Sequence, residues 1–136
     1  IGTIIRIFNI IDGKMLIELR RGIEHSNILH ISFNKNDTRL LCTTNKGSIH
    51  IFLLQSIVKL TQFTKIVQNT FIKNIYNYFN STQSYWKAFI PNKLINAYFI
   101  KKNIILLYSE NGYVYTIILG DKRECILINH IKITNI

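Results

Sequence analysis

The fold of this chain follows from the stretch RLLCTTNKGSIHIFL, residues 39–53. Two runs rich in apolar and β-branched residues, 39–43 and 48–53, flank the turn-forming sequence Asn45-Lys46-Gly47. Such runs on either side of a short, glycine-containing turn predict a β-hairpin.

The same strand and turn pattern continues on both sides of this hairpin. Turn signals lie at Asp12-Gly13 and Asn111-Gly112, and the run 34–37 is rich in Asn and Asp. The other predicted strands are residues 3–10, 15–19, 28–33, 94–100, 103–108, 113–119 and 124–131. The chain is therefore predicted to be all-β.

Three glycines mark corresponding hairpin turns in three copies of one unit. Gly2 and Gly47 are 45 residues apart, which is the length of a four-stranded propeller blade. Gly47 and Gly112 are 65 residues apart, so the middle unit carries an insertion of about 20 residues. We expect residues 1–136 to be a portion of one β-propeller domain. The first residue is Ile1, and we interpret the chain as a fragment of a longer protein.

The charge balance favours anionic partners. The chain has 17 Lys and Arg residues against 7 Asp and Glu, a formal net charge of +10. Nucleic acid, an acidic protein and an anionic membrane all fit this excess, and the charge does not choose among them. Cys42 and Cys125 lie far apart without CxxC spacing, which indicates neither a zinc site nor a disulfide framework. We expect no cofactor and no metal.

No pattern typical of catalysis is found in the sequence. The acidic residues are few and scattered, and neither a phosphate-binding P-loop nor a nucleophile elbow occurs. Cys42 and His50 fall on neighbouring strands of one hairpin, but nothing orients or activates such a pair. We therefore expect a binding protein and not an enzyme.

Arg20 and Arg21 are the most informative charged residues. Neighbouring side chains on an extended backbone point in opposite directions, so this pair is able to supply one guanidinium to each of two anion sites. A guanidinium holds phosphate through a planar fork of donors that lysine does not offer. The alternative is a solvated basic turn, the usual role of exposed charged residues.

The residues around this pair resemble a known family. The run 2–8, the turn Asp12-Gly13 and the sequence Leu19-Arg20-Arg21-Gly22 are similar to the core of the PROPPINs, seven-bladed WD-repeat-like propellers that bind phosphoinositides. The family signature is Phe-Arg-Arg-Gly, and here Leu19 replaces the phenylalanine. Residues 33–52 and 124–128 match as well. The resemblance implies the end of blade 5, blade 6 with a long loop, and blade 7.

The resemblance also implies two headgroup sites. The first would consist of Gly2, Thr3, Arg6 and Arg20, and it would be incomplete because the family also draws on earlier blades that this chain lacks. The second would consist of Arg21, Gly22, Thr44, Ser48 and His50. Thr44 and Ser48 are alternatively plain turn residues, and His50 an ordinary strand histidine.

The function implied by the resemblance is that of a peripheral membrane protein. The implied lipid is phosphatidylinositol 3-phosphate, with the 3,5-bisphosphate as second candidate. The protein would recruit autophagy or endosomal machinery, with autophagy-related partners, to phagophore, endosomal, vacuolar or other phosphoinositide-bearing membranes on their cytoplasmic side.

We expect the insertion to occupy residues 55–86, where apolar residues recur at three- and four-residue intervals. This period predicts an amphipathic helix, either in a membrane interface or packed on the propeller, and a loop without fixed structure is the third possibility. The resemblance places here the family's long loop that reaches the bilayer. The side chains expected at the interface are Phe63, Val67, Phe71, Tyr78, Tyr85 and Trp86.

Two other functions fit the composition. Basic charge and many aromatic residues permit RNA binding, although the cations do not gather with aromatics on one strand face as a stacking platform requires. A propeller is also commonly a scaffold for protein interactions. We expect no nucleic-acid partner.

Overall fold

The computed structural model describes residues 3–54 and 82–133, and in this part of the chain the regular secondary structure is eleven β-strands. None of the described residues belongs to a helix long and apolar enough to cross a bilayer. The strands are β1 (Ile4–Phe8), β2 (Met15–Arg20), β3 (Ile28–Phe33), β4 (Arg39–Thr44), β5 (Ser48–Leu53), β6 (Thr82–Gln83), β7 (Trp86–Phe89), β8 (Leu94–Lys101), β9 (Ile104–Ser109), β10 (Tyr113–Leu119) and β11 (Cys125–Lys132).

The strands form three sheets that follow one another along the chain. The middle sheet has the order β3-β4-β5-β7, the last sheet β8-β9-β10-β11, and the first sheet β1-β2-β6. All neighbours are antiparallel except β2 and β6, which pair in parallel over two residues. The two complete sheets are four-stranded meanders, as expected for propeller blades, so the prediction of an all-β propeller fold is confirmed.

Two strands, β6 and β7, were not predicted. The sequence of β7, Trp-Lys-Ala-Phe, does not alternate clearly and contains two residues with weak β-propensity. Its position is set by pairing with β5, where Ile51 lies opposite Trp86 and Ser48 opposite Phe89. The insertion therefore ends before residue 86, since β7 completes the middle blade.

Two apolar layers fill the spaces between consecutive sheets. Ile5, Ile17 and Leu19 of the first sheet pack with Leu40, Cys42 and Phe52. The other layer lies between the middle and last sheets and includes Leu41, Ile49, Ile51, Trp86, Ile90, Leu94, Ala97, Ile105 and Leu107. Alternate residues of β4 thus enter different layers, which explains why all six of its residues are buried.

The middle and last sheets are joined by a polar clamp around Trp86. The indole Nε1 donates to the carbonyl oxygen of Gly120 at 2.8 Å. The guanidinium of Arg39 lies 4.8 Å from the centre of the indole ring and donates to Asn103 Oδ1 at 3.0 Å. Tyr85 contacts the same indole edge-on, with ring centres 4.4 Å apart.

The prediction that Trp86 faces a membrane is therefore wrong. Only 5% of its surface is exposed, because the ring fills the space between two blades. Tyr85 is half-buried between Trp86 and Arg123, whose guanidinium lies 4.5 Å from the tyrosine ring centre. The other predicted interface residues, Phe63, Val67, Phe71 and Tyr78, lie outside the described residues.

Candidate functional site

Arg20 and Arg21 face different neighbours. Arg20 ends β2, opposite Ile4 of β1, and its guanidinium lies 3.7 Å from a carboxylate oxygen of Glu18. The backbone N–H of Arg21 donates to the carbonyl of Thr3 at 2.9 Å, and its side chain is 5% exposed and donates to the carbonyl of Glu24. The positive charge of Arg21 lowers the pKa of both Cys42 and His50, so it acts on two residues of the middle sheet.

The middle sheet presents a chain of four hydrogen-bonded polar side chains. The hydroxyls of Thr44 and Ser48 are 2.7 Å apart. The Ser48 hydroxyl is 3.2 Å from His50 Nε2, and His50 Nδ1 is 3.1 Å from the hydroxyl of Ser84. A neutral imidazole donates from one nitrogen and accepts at the other, so it connects the two hydroxyls.

Local backbone geometry produces most of this arrangement. Thr44 ends β4 and Ser48 begins β5, and the Ser48 N–H donates to Thr44 Oγ1 at 3.2 Å across the turn. His50 lies two residues beyond Ser48 and therefore projects from the same face of the sheet. A hairpin of this register brings the three side chains together without help from the rest of the chain.

The electrostatics of the site favour an anion. Burial, the positive charge of Arg21 and that of Lys87 lower the pKa of His50 from 6.5 to about 4, so the imidazole is neutral at pH 7. Lys87 lies directly opposite His50 across the β5–β7 pair. Two fixed cations beside a neutral imidazole and three hydroxyls can donate several hydrogen bonds to the oxygens of a phosphate group.

Ser84 and Lys87 are the two residues that the sequence interpretation missed. Both follow the insertion and lie more than 30 residues from His50, so no local pattern links them to it. One signal in the sequence points to them: the pattern predicts only three strands in the middle unit, whereas a blade of this repeat requires four. A fourth strand predicted before Leu94 would pair with β5 and would place this part of the chain beside His50.

The first predicted headgroup site contains a carboxylate. Arg6 Nε lies 3.0 Å from one carboxylate oxygen of Glu18, and Arg20 lies near the other. Thr3 is at the start of this sheet, and Gly2 lies outside the described residues. An anion at this position competes with Glu18 for both arginines.

Neither Gly22 nor Cys42 offers a cationic side chain to an anion. Gly22 is exposed, and a Cβ there would meet no atom within 4 Å. Cys42 is fully buried opposite His50, and burial raises the pKa of its thiol to about 12 despite the opposing effect of Arg21. The thiol is therefore protonated at neutral pH and is a poor nucleophile. Among the described residues, no group of three or more His, Cys, Asp and Glu side chains is arranged to hold a metal ion.

Comparison with curated proteins finds autophagy-related relatives, while no family model matches the chain. The chain is 32% identical over 127 residues to Autophagy-related protein 18e of Arabidopsis thaliana, which covers 91% of this chain and 31% of that protein. It is 41% identical over 56 residues to Autophagy-related protein 21 of Pichia angusta, covering 41% of this chain and 14% of the relative. The chain thus spans about a third of the first relative's length.

Solved structures show the same architecture. Hsv2 of Kluyveromyces lactis with its complete loop 6CD matches 98% of this chain and 42% of its own, with a TM-score of 0.73 and 21% identity, which shows the fold alone. KlAtg21 in complex with the coiled coil of AgAtg16 matches 98% of this chain and 36% of its own, with a TM-score of 0.69 and 25% identity. Together with the arginine pair and the two complete four-stranded sheets, these similarities show that the chain belongs to the PROPPIN family.

Proposed function

We propose that this chain binds a phosphoinositide headgroup at the side chains of Arg21, Thr44, Ser48 and His50. The observation that carries the proposal is the hydrogen-bonded chain Thr44–Ser48–His50–Ser84 beside two cations. The family is non-enzymatic, and binding is the role that this chemistry supports.

The proposed ligand is phosphatidylinositol 3-phosphate, with the 3,5-bisphosphate as the second candidate. Hydrogen bonds to charged groups contribute roughly 1.5–3 kcal/mol each, so a few of them suffice for a headgroup that also sits on a membrane surface. A phosphate bound here would offset the repulsion that Arg21 and Lys87 exert on an imidazolium, so we expect ligand binding to raise the pKa of His50. Lys87 of the fourth strand and Ser84, which precedes that strand, complete the site.

A second, weaker headgroup site is proposed at Arg6 and Arg20. Glu18 neutralises part of the positive charge there, so this site requires ligands from outside the described residues or displacement of the carboxylate. Two weak sites facing one membrane raise the overall affinity through effective concentration.

The insertion is proposed to contact the bilayer beside these sites. Its candidate interface residues are Phe63, Val67, Phe71 and Tyr78, because aromatic and apolar side chains are favoured at the membrane–water boundary. The proposed partners are autophagy-related proteins, and the proposed location is the cytoplasmic side of phagophore, endosomal or vacuolar membranes. The solved complex of KlAtg21 with a coiled coil supports a protein partner of that kind.

Vesicle flotation tests the lipid proposal. We expect the protein to float with phosphatidylcholine vesicles that contain phosphatidylinositol 3-phosphate and not with vesicles that contain unphosphorylated phosphatidylinositol. Changing both arginines, Arg20→Thr with Arg21→Thr, should abolish the difference between the two vesicle types. Phe71→Asp should weaken flotation while the affinity for the soluble headgroup stays the same.

If the double arginine variant still floats only with vesicles that contain phosphatidylinositol 3-phosphate, the proposed headgroup binding is wrong. Localisation and partner binding that survive the same double change would support a scaffold role instead. Salt-sensitive binding to RNA without headgroup preference would indicate a nucleic-acid function.

A further inference from the structure

Two large apolar side chains are exposed on either side of the turn that carries the proposed headgroup site. Ile23 is 95% exposed, and Phe89 is 67% exposed. Each is close in sequence or in the sheet to a residue of the site: Ile23 follows Arg21 by two positions, and Phe89 is paired with Ser48.

The segment that carries Ile23 is fastened to the turn between Thr44 and Ser48. The N–H of Asn45 donates to the carbonyl of Asn27 at 3.0 Å, and the N–H of Asn27 donates to Asn45 Oδ1 at 2.9 Å. Lys46 at the tip of the turn lies 3.7 Å from the carboxylate of Glu24, the residue after Ile23. Ile23 therefore occupies one flank of the turn.

Phe89 occupies the other flank. It ends β7, the outermost strand of its sheet, and the next residue, Ile90, donates its N–H to the carbonyl of Gly47 at 3.0 Å. Side chains alternate along a strand, so Trp86 and Ala88 face the last sheet, whereas Lys87 and Phe89 share the face that carries His50 and Ser48.

The pattern around the turn is thus apolar, cationic and apolar. Arg21, Lys46 and Lys87 are the cations of this region, and Ile23 and Phe89 stand beside them in solvent. An anionic lipid surface can bind both kinds of side chain. Its headgroup layer attracts cations, and the boundary of its acyl chains accommodates apolar and aromatic side chains. The charge of the whole chain, +10, agrees with such a surface.

We infer that Ile23 and Phe89 enter the bilayer boundary on either side of a headgroup held at Arg21, Thr44, Ser48 and His50. The inference rests on the proposed function and adds to it a contact that is independent of the insertion. Headgroup binding then sets the depth at which the two side chains lie, because hydrogen bonds and strand pairing hold the segments of Ile23 and Phe89 against the turn between Thr44 and Ser48.

The experiment uses a tryptophan at position 89 as a depth probe. Trp86 is the chain's only native tryptophan and is buried between sheets, so lipids should not quench its fluorescence. Phe89→Trp is compared with Ile128→Trp, a position on β11, the outermost strand of the last sheet, that is 52% exposed. Both variants are bound to vesicles of brominated phosphatidylcholine containing phosphatidylinositol 3-phosphate, and the bound fraction is measured by flotation.

We expect the tryptophan at position 89 to be quenched and shifted to shorter wavelength, and the one at position 128 to remain unquenched. Phe89→Ser should lower vesicle affinity about tenfold or more, the effect expected for losing the burial of one large apolar side chain without adding a charge beside the headgroup site. Its affinity for soluble inositol 1,3-bisphosphate should stay within about twofold of the unmodified protein, since the headgroup contacts are intact.

Two negative results have different meanings. Vesicle-bound protein with no quenching at position 89, or with equal quenching at positions 89 and 128, overturns the membrane contact and leaves the headgroup site standing. A protein that fails to bind the soluble headgroup overturns the proposed function, and this inference falls with it.

Discussion

At the scale of single residues, His50 has the most informative environment. Its two ring nitrogens lie near hydroxyls of Ser48 and Ser84, and the residue is buried. The pKa of His50 falls to about 4, first because burial penalises the charged form and then because Arg21 and Lys87 repel it. This histidine is therefore a neutral part of the fold at neutral pH.

The unmodified protein should lose stability through His50 as the pH falls from about 6.5 to about 4. The folded-state pKa lies below the unfolded value, so in this window the unfolded chain binds the proton more strongly and the free energy of unfolding decreases. The full effect, reached below about pH 4, should be roughly 3 kcal/mol. Denaturant unfolding at several pH values measures it, with His50→Asn as the comparison.

The His50→Asn variant should show a flatter dependence of unfolding free energy on pH over the same range. His25, His30 and His130 are unchanged in both proteins, so their contributions cancel in the comparison. Identical pH dependence in the two proteins would contradict the assignment of a neutral, buried imidazole.

At the scale of elements, the turn between β4 and β5 positions the candidate site and depends on one glycine. Gly47 has a φ of +82°, and a Cβ built there would lie 1.9 Å from the carbonyl oxygen of Ile90. Gly13 also has positive φ, +67°, but a Cβ there meets nothing within 4 Å. An alanine at position 13 would therefore introduce backbone strain alone, whereas an alanine at position 47 would introduce backbone strain and a steric clash.

Gly13→Ala should cost about 1–2 kcal/mol, the strain of a left-handed backbone with a side chain. Gly47→Ala should cost clearly more, because β7 must also move away from the turn. Thermal unfolding of both variants tests this difference, and headgroup titration should show weaker binding for Gly47→Ala alone. If both changes lower the unfolding temperature equally, the close approach of residue 47 to the Ile90 carbonyl does not affect stability.

The strands that the sequence predicted are those whose signals are local. The hairpin β4–β5 has a turn glycine between apolar runs, and the same holds for β9–β10, so their positions follow from spacing alone. Thr44, Ser48 and His50 were named only through the family resemblance, and the hairpin explains why the three side chains lie together. β7 was not predicted because it pairs with β5 across the insertion, which leaves no local signal in the sequence. The positions of Ser84 and Lys87 and the burial of Trp86 all depend on that pairing.

At the scale of the whole molecule, the site lies where the first and middle sheets meet. Arg21 leaves the end of β2, while Thr44, Ser48 and His50 belong to the next blade. The apolar layer of Ile5, Leu19, Leu40 and Phe52 holds these two sheets together below the polar groups. The Trp86 clamp fixes the fourth strand of the middle blade to the last sheet. The hairpin alone brings Thr44, Ser48 and His50 together, whereas the positions of Arg21 and Lys87 depend on the packing and pairing of other strands.

The most direct test of the central claim is a calorimetric titration of the protein with soluble inositol 1,3-bisphosphate. Arg21→Lys keeps the positive charge and loses the planar fork, Arg21→Gln loses both, and Arg123→Gln removes an equal charge from the turn before β11. We predict that Arg21→Lys weakens binding, that Arg21→Gln weakens it by at least about tenfold, as expected for one charged hydrogen-bonding group, and that Arg123→Gln leaves it unchanged. Equal loss of affinity in Arg21→Gln and Arg123→Gln, or full affinity in Arg21→Gln with its fold intact, would contradict a headgroup site at Arg21.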